Sequence, residues 1–105
     1  MDQVELSTGD WSVRAHHARS FTDRLVGNLA VPGDSAVVLH TRTVHSFGQK
    51  TPIEIVGIDA HMRVVATRTL MPNRITVLSS ARMILELPSG SPVPSVADFI
   101  EMTHG

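Results

Sequence analysis

Short apolar runs separated by turn-forming residues follow one another along most of this chain. Residues 36–39 and 53–58 are apolar runs of strand length, and residues 63–69 alternate between apolar and polar positions. Alternation with a period of two, or a short apolar run between turn residues, is typical of β-strands. The same criteria predict further strands over residues 11–15, 41–44, 75–78, 81–87 and 99–102.

The pattern predicts a mainly β fold, a small antiparallel β-sandwich or barrel of jelly-roll type. One short helix is expected near residues 20–29, where residues 20–23 have the form of a capping box and Leu25 and Leu29 follow four residues apart. Residues 81–87 contain good helix formers, but a proline and a glycine follow closely, so we favour a strand there.

The length of 105 residues predicts one domain with one core. Residues 1–10 are polar and are interpreted as a loose N-terminal segment, and residues 11–105 as a single β-sandwich domain. Apolar residues make up 42% of the chain and charged residues 18%, which indicates a globular rather than a disordered protein.

Composition excludes several classes of function. The net charge is −1 and no basic stripe is present, so no nucleic-acid partner is expected. The absence of cysteine excludes disulfides, thiolate catalysis and thiolate zinc sites. No run approaches the roughly 18 apolar residues of a membrane span, and no signal peptide is visible, so we expect a cytoplasmic protein without membrane insertion.

The loop between two predicted strands, residues 46–52, is the strongest candidate for a functional surface. It contains Gly48, which permits a positive φ, and it follows His45 directly. Histidine in such a place could act as a general base, a metal ligand or a clamp that hydrogen-bonds the loop to a neighbouring strand, and we favour the clamp. Arg42 could hold an anionic group in a bidentate fork, or lie solvated at a sheet edge.

Two acids, Glu54 and Glu86, stand within apolar strands. A buried carboxylate is costly unless paired, so each is expected to face solvent, to pair with an arginine or to line a pocket. Strand alternation places Glu54 on the same face as Val56 and Ile58. A pair of glutamates could in principle hydrolyse a glycoside, but the sequence does not fix their separation.

No catalytic residue, cofactor or metal ligand is assigned. None of the six histidines forms a pair with the spacing that a strand or helix needs for a shared metal, since the neighbours His16 and His17 face opposite sides of a strand. The predicted ligand-binding residues are Arg24, Arg42, His45, Phe47, Glu54 and Glu86.

Four segments, in order and spacing, also carry a family resemblance. They are Phe21–Gly27, Ala36–Leu39, Val44–Val65 with its Ser-Phe-Gly and Pro-Ile-Glu motifs, and Leu85–Ile100 with Leu-Glu-Leu-Pro-Ser-Gly. In these motifs the chain resembles the bacterial and archaeal family known as domain of unknown function 192, over residues 11–102. The resemblance implies a small mainly β sandwich of jelly-roll type and implies no reaction.

Several positions depart from the family pattern. Thr41 stands where cysteine is common, Gln49 where methionine is usual and Glu54 where aspartate is usual. Gly57 and Met62 replace a bulky apolar residue and a turn glycine. These departures weaken the transfer of a site to residues 41–62.

The expected function is that of a non-enzymatic accessory module that binds a small molecule or a protein. Two alternatives stay open. One is a small hydrolase-like enzyme that uses His45 with Glu54 or Glu86, and the other is a structural or oligomer-forming domain, with a homodimer as its simplest form.

Overall fold

The computed structural model of the protein describes residues 2–18 and 36–104. These residues contain no helix and form nine strands: β1 Asp2–Ser7, β2 Ser12–Ala18, β3 Ala36–Leu39, β4 Thr43–His45, β5 Ile53–Ile58, β6 Val64–Leu70, β7 Ile75–Val77, β8 Met83–Pro88 and β9 Glu101–His104. The predicted mainly β fold is confirmed. The helix expected near residues 20–29, and Arg24 within it, lie outside the described residues.

Seven of the strands form one sheet in the order β6-β5-β8-β3-β2-β1-β9. All neighbours are antiparallel except β2 and β3, which are parallel, with Ala15 opposite Ala36 and Ala18 opposite Leu39. The prediction of an antiparallel sheet is therefore wrong at this pair, and the sheet is mixed. A parallel pair needs a connection of about a dozen residues or more. β2 ends at residue 18 and β3 begins at residue 36, so the chain between them is long enough.

The N-terminal residues belong to the sheet. Residues 2–7, which the sequence suggested to be part of a loose segment, form β1 and pair with β2 on one side and β9 on the other. Val4 and Leu6 are buried while Gln3 and Glu5 are exposed, so this strand has a period of two. Two apolar residues among polar ones are enough to define the face of a strand that has partners on both sides.

The sheet curls round so that its two outer strands meet at one point, and we call this rolled sheet the barrel. The segment before β9 runs antiparallel to the start of β6, with a bridge between Arg63 and Phe99. Val64 donates to the carbonyl of Asp98 at 2.8 Å, and Ile100 donates to the carbonyl of Met62 at 2.7 Å. Closure satisfies backbone groups that edge strands leave unpaired.

The barrel encloses the larger of two apolar cores. Its buried members come from the inward positions of the strands and from Ile100: Val4, Leu6, Ala15, Ala36, Val38, Val56, Ile58, Val64, Met83, Leu85, Leu87 and Ile100. Trp11, the only tryptophan, packs against this core half-buried and donates its indole N–H to the carbonyl of Pro92 at 3.0 Å.

The remaining strands, β4 and β7, form an antiparallel two-stranded sheet, which we call the ribbon. The ribbon covers the outside of β5, β6 and β8 through a second core: Val44, Ile53, Ile55, Leu70, Leu78, Ala81 and Ile84. The result is a two-layer arrangement over one side of the barrel. A jelly-roll topology for the chain stays a prediction.

Candidate functional site

The residues predicted to form one site lie in two layers of the structure. Arg42, His45 and Phe47 belong to the ribbon or its following loop, while Glu54 and Glu86 lie on β5 and β8 of the main sheet. The described residues of the predicted site therefore divide into an outer group and a group within the sheet.

The clamp of the loop is Ser46 rather than its neighbour His45. The Ser46 side chain is fully buried; its hydroxyl donates to the carbonyl of Met71 at 2.6 Å and accepts the N–H of Arg74 at 2.9 Å. Its backbone N–H donates to the carbonyl of Arg74, and its carbonyl accepts the N–H of Asn73. One serine thus joins the end of β4 to the turn before β7, whereas the sequence pattern favoured His45 for this role.

His45 points outward. Its side chain is exposed, and its ring stacks on Phe47 with centroids 5.2 Å apart and planes inclined by 23°. Stacking of this kind is more favourable than leaving both rings fully exposed, because it removes apolar area from water. Phe47 nevertheless keeps 56% of its surface exposed. The pair is a flat aromatic surface held on the end of a strand by the Ser46 clamp.

The outward face of the ribbon is apolar. Val44 points inward to the second core, so its neighbours along β4 point outward, and Ile75 and Val77 lie opposite them at 60% and 57% exposure. Cross-strand neighbours have Cβ atoms about 5 Å apart, so His45 and Ile75 adjoin. We call this surface the ribbon face; it consists of Thr43, His45, Phe47, Ile75 and Val77.

Sequence reasoning missed Ile75 and Val77 as surface residues. The pattern Ile-Thr-Val predicts a strand, but it places the two branched apolar side chains on one face and favours burial of that face. In the structure the polar Thr76 faces β6, where it accepts a hydrogen bond from Arg68 at 3.4 Å. Only the hydrogen-bonding register with β4 reveals that the apolar face of β7 is outward.

Arg42 helps to hold the ribbon in place. Its Nε donates to the carbonyl of Ala81 at 3.2 Å, and its own carbonyl accepts the N–H of Leu78 at 2.8 Å. These bonds tie the start of β4 to the connection between β7 and β8. The side chain as a whole is exposed.

Glu54 makes two hydrogen bonds. Its carboxylate accepts the hydroxyl of Thr69 at 2.5 Å and the backbone N–H of Gly90 at 2.8 Å. The residue lies on β5 between β6 and β8, and it shares a face with Val56 and Ile58, as alternation predicted. Its carboxylate therefore connects two strands and the turn after β8.

Glu86 lies on the opposite face of the sheet. It stands across from Ile55 in β5, whereas Glu54 stands across from Leu87. Because successive residues of a strand point to opposite faces, the two carboxylates project to different sides. A glutamate pair for glycoside hydrolysis therefore does not form between them.

Asp59 organises the turn between β5 and β6. Its Oδ1 accepts the N–H of His61 at 2.9 Å and the N–H of Arg63 at 3.0 Å. The hydrogen bond from the Arg63 backbone is the main cause that lowers the pKa of this carboxyl, with the His61 N–H and the charges of both residues adding to it. This turn also holds Met62 at a φ of 64°, at the position where the resembled family has glycine.

A surface cleft of about 620 Å³ opens elsewhere, at the end of the barrel near Trp11. Ala15 and Ala36, which stand opposite each other on β2 and β3, both line it. Its polar lining includes Arg14, His16 and Ser91. This cleft was not anticipated, since nothing local in these residues indicates a concave surface.

Comparison with known proteins adds support for the fold and none for a function. Neither a protein-family model nor a curated protein matches the chain. The structure is similar to the crystal structure of a protein of unknown function from Novosphingobium aromaticivorans DSM 12444, with a TM-score of 0.70 and 13% sequence identity. The match covers 94% of this chain and 83% of that one. No helix of the described residues is long and apolar enough to cross a membrane.

Proposed function

We propose that the protein is a non-enzymatic binding module and that it docks an apolar segment of a partner protein on the ribbon face. The observation that carries this proposal is the exposure of Phe47, Ile75 and Val77 on one rigidly held surface. Contiguous apolar surface of this kind is characteristic of interaction sites. Aromatic residues such as Phe47 are enriched at the centres of protein interfaces.

The rigidity of the surface supports binding as well. Hydrogen bonds of the buried Ser46 hold the loop after β4, and the hydrogen bond of Arg42 to Ala81 holds the other end of β4. A surface held in one geometry loses little conformational entropy when a partner binds. Glu54 and Glu86 project to opposite faces of the sheet, which speaks against a paired-carboxylate glycosidase.

A random peptide library displayed on phage, selected on the immobilised protein, tests the proposal. We expect enrichment of peptides with aromatic and branched apolar residues. Their binding should fall at least about tenfold, or roughly 1.4 kcal/mol, in Phe47→Ser and Ile75→Thr, because each removes exposed contact area. The matched control is Phe99→Ser, since Phe99 is 66% exposed but lies on the barrel closure.

Two results would contradict the proposal. One is a selection without enriched sequences, and the other is a set of binders that lose as much affinity in Phe99→Ser as in Phe47→Ser. Sedimentation of the unliganded protein separates a further outcome, because a dimer abolished by Phe47→Ser means that a second copy occupies the ribbon face.

We also propose membership in the domain of unknown function 192 family. The four ordered segments support it, and so does the left-handed φ of Met62 at the position where the family has a turn glycine. A crystal structure of a family member tests it. The same strand order with the same closing bridge is expected, and a different strand order would refute the assignment.

A further inference from the structure

A small notch adjoins the ribbon face where the ribbon meets β6. Three exposed polar residues, Arg68, Ser79 and Ser80, line it together with apolar side chains that include Val77. Val77 also belongs to the ribbon face, so the two surfaces are continuous. The notch has a volume of about 160 Å³. Pockets that hold drug-sized ligands have roughly 300–1,000 Å³, so this one has room for a single side-chain group.

The pleat of β6 places Arg68 on the ribbon side of the sheet. Arg68 alternates with Ala66 and Leu70, and both of these pack in the second core beneath the ribbon. Its guanidinium donates to the hydroxyl of Thr76 on β7 at 3.4 Å. Thr76 stands between the outward-facing Ile75 and Val77, so the positive charge of Arg68 lies next to the apolar surface of the ribbon face.

The guanidinium of Arg68 keeps donors available. Arginine has five N–H groups, and the bond to Thr76 uses one of them. No carboxylate of the described residues forms an ion pair with Arg68. Glu86 shares its face of the sheet, but β5 with Ile55 lies between them. Two strand spacings separate the backbones of Arg68 and Glu86 by about 10 Å, close to the distance at which salt screens exposed charges.

The strands around the ribbon carry a positive charge, although the whole chain has a net charge of −1. Of the 9 lysine and arginine residues, six lie in residues 42–82, which hold only two of the 10 acids. Neither acid is free on the ribbon side. Glu54 lies on the opposite face of β5 and is bound by Thr69 and Gly90, and Asp59 is held in its own turn. Such a surface favours an acidic partner over a basic one.

We propose that the notch receives an acidic side chain of the segment that docks on the ribbon face. The partner segment then carries aromatic and branched apolar residues next to an aspartate or glutamate. This assignment depends on the docking proposed above and adds the chemistry of the docked segment. A guanidinium can hold a carboxylate through two parallel hydrogen bonds, and the neighbouring serine hydroxyls can donate further ones.

The peptides selected on the immobilised full chain test the assignment. We expect aspartate or glutamate beside the apolar residues of the enriched peptides, and a depletion of lysine and arginine. In the tightest binder, replacement of the acid by glutamine should weaken binding about 5- to 10-fold, measured by fluorescence anisotropy of the labelled peptide. Higher NaCl should weaken the acidic peptide more than its glutamine analogue, because salt screens the charge pair.

Variants of Arg68 identify the group that meets the acid. Arg68→Gln can keep a bond to Thr76, and it should bind the acidic peptide and the glutamine analogue equally well. Arg68→Glu should prefer a lysine analogue, an exchange of charges that a purely structural role of Arg68 would not produce. Arg14→Gln is the matched control, since Arg14 is an exposed arginine on β2, and it should leave the preference unchanged. Circular dichroism checks that the variants fold.

The possible failures are distinguishable. Enriched apolar peptides without an acid, or an acid preference that survives in Arg68→Gln, would overturn the assignment and leave the docking itself supported. A selection without enriched peptides would overturn both. Tighter binding of a phosphoserine analogue would replace the carboxylate by phosphate as the group in the notch. Sedimentation with phosphatidylserine vesicles that is lost in both Phe47→Ser and Arg68→Gln would overturn a peptide as the occupant.

Discussion

Gly90 donates its backbone N–H to the carboxylate of Glu54 at 2.8 Å, so a side chain of the sheet holds the turn that follows β8. The same carboxylate accepts the hydroxyl of Thr69 on β6. Gly90 has a φ of 79°, a conformation that glycine adopts without strain. Gly90 therefore permits the backbone conformation of this turn, and the Glu54 carboxylate fixes the position of the turn against the sheet.

We expect Glu54→Ala to lower the free energy of unfolding by about 1–3 kcal/mol, because the Gly90 N–H and the Thr69 hydroxyl lose a charged acceptor. Glu54→Gln should cost less, since its amide oxygen can keep one of the two bonds. Urea unfolding followed by Trp11 fluorescence measures both. Glu5→Ala is the control, because Glu5 is exposed on β1; an equal loss there would mean that Glu54 has no special role.

The free energies of unfolding of Ser46→Ala and His45→Ala show which of the two residues holds the loop. Ser46→Ala removes the acceptor of the Arg74 N–H and the donor to the Met71 carbonyl within a buried site. We expect it to lower the free energy of unfolding by about 1–3 kcal/mol. His45→Ala should cost less than about 1 kcal/mol, since its ring is exposed and loses only the stacking on Phe47. The reverse order in urea unfolding would show that His45 is the clamp after all.

Ala97→Gly should stabilise the protein. Ala97 has a φ of 80°, and its N–H donates to Val64 within the barrel closure. A left-handed conformation costs an alanine about 1–2 kcal/mol, while glycine adopts it freely. After the greater entropy of the unfolded glycine chain is subtracted, we expect a gain of about 0.5–1 kcal/mol.

The control for Ala97→Gly is Ala60→Gly. Ala60 is also exposed in a turn, but its φ is not in the positive range. This change should therefore destabilise the protein by about 0.4–1 kcal/mol, through the unfolded state alone. Thermal unfolding of the two variants side by side gives shifts of opposite sign. Shifts of the same sign would show that backbone strain at Ala97 contributes nothing.

The lowered pKa of Asp59 predicts a limited decrease in the free energy of unfolding at acidic pH. Its folded-state pKa is lowered, so the folded state binds the proton less tightly than the unfolded chain does. The stabilisation is complete above the unfolded pKa of about 3.9 and is lost as the pH falls through the lower folded pKa. Asp59→Asn should therefore reduce the pH dependence of urea unfolding between roughly pH 5 and pH 2, the range in which such a carboxylate titrates. An unchanged profile would contradict this role.

Local patterns determine most of the strands in this chain. The bounds of β3 and β5 agree with the sequence prediction, and the face of Glu54 follows from alternation with Val56 and Ile58. These features depend on residues within one strand, so the sequence contains the required information. β1 was missed because its two apolar residues stand alone among polar ones, and its burial depends on partners far along the chain.

The candidate site was harder to predict, because it depends on pairings between distant residues. The sequence indicated the loop after β4, yet it could not tell that Ser46 is buried and His45 exposed, since each conformation fits a loop next to a strand. The outward direction of Ile75 follows from its pairing with β4. Likewise, His17 and His40 meet only because β2 and β3 are parallel. Such contacts are set by topology, which single-strand patterns leave open.

Because of the bridge between Arg63 and Phe99, the two ends of the sheet can meet only after the C-terminal segment has been synthesised. Residues 97–104 leave the ribosome after all the other described strands, so one edge of β1 and the start of β6 have no partner until that segment arrives. Exposed edges invite pairing with other chains, and pairings that are distant in sequence form slowly. A nascent chain that stalls before residue 97 would therefore be more prone to aggregate than the finished barrel.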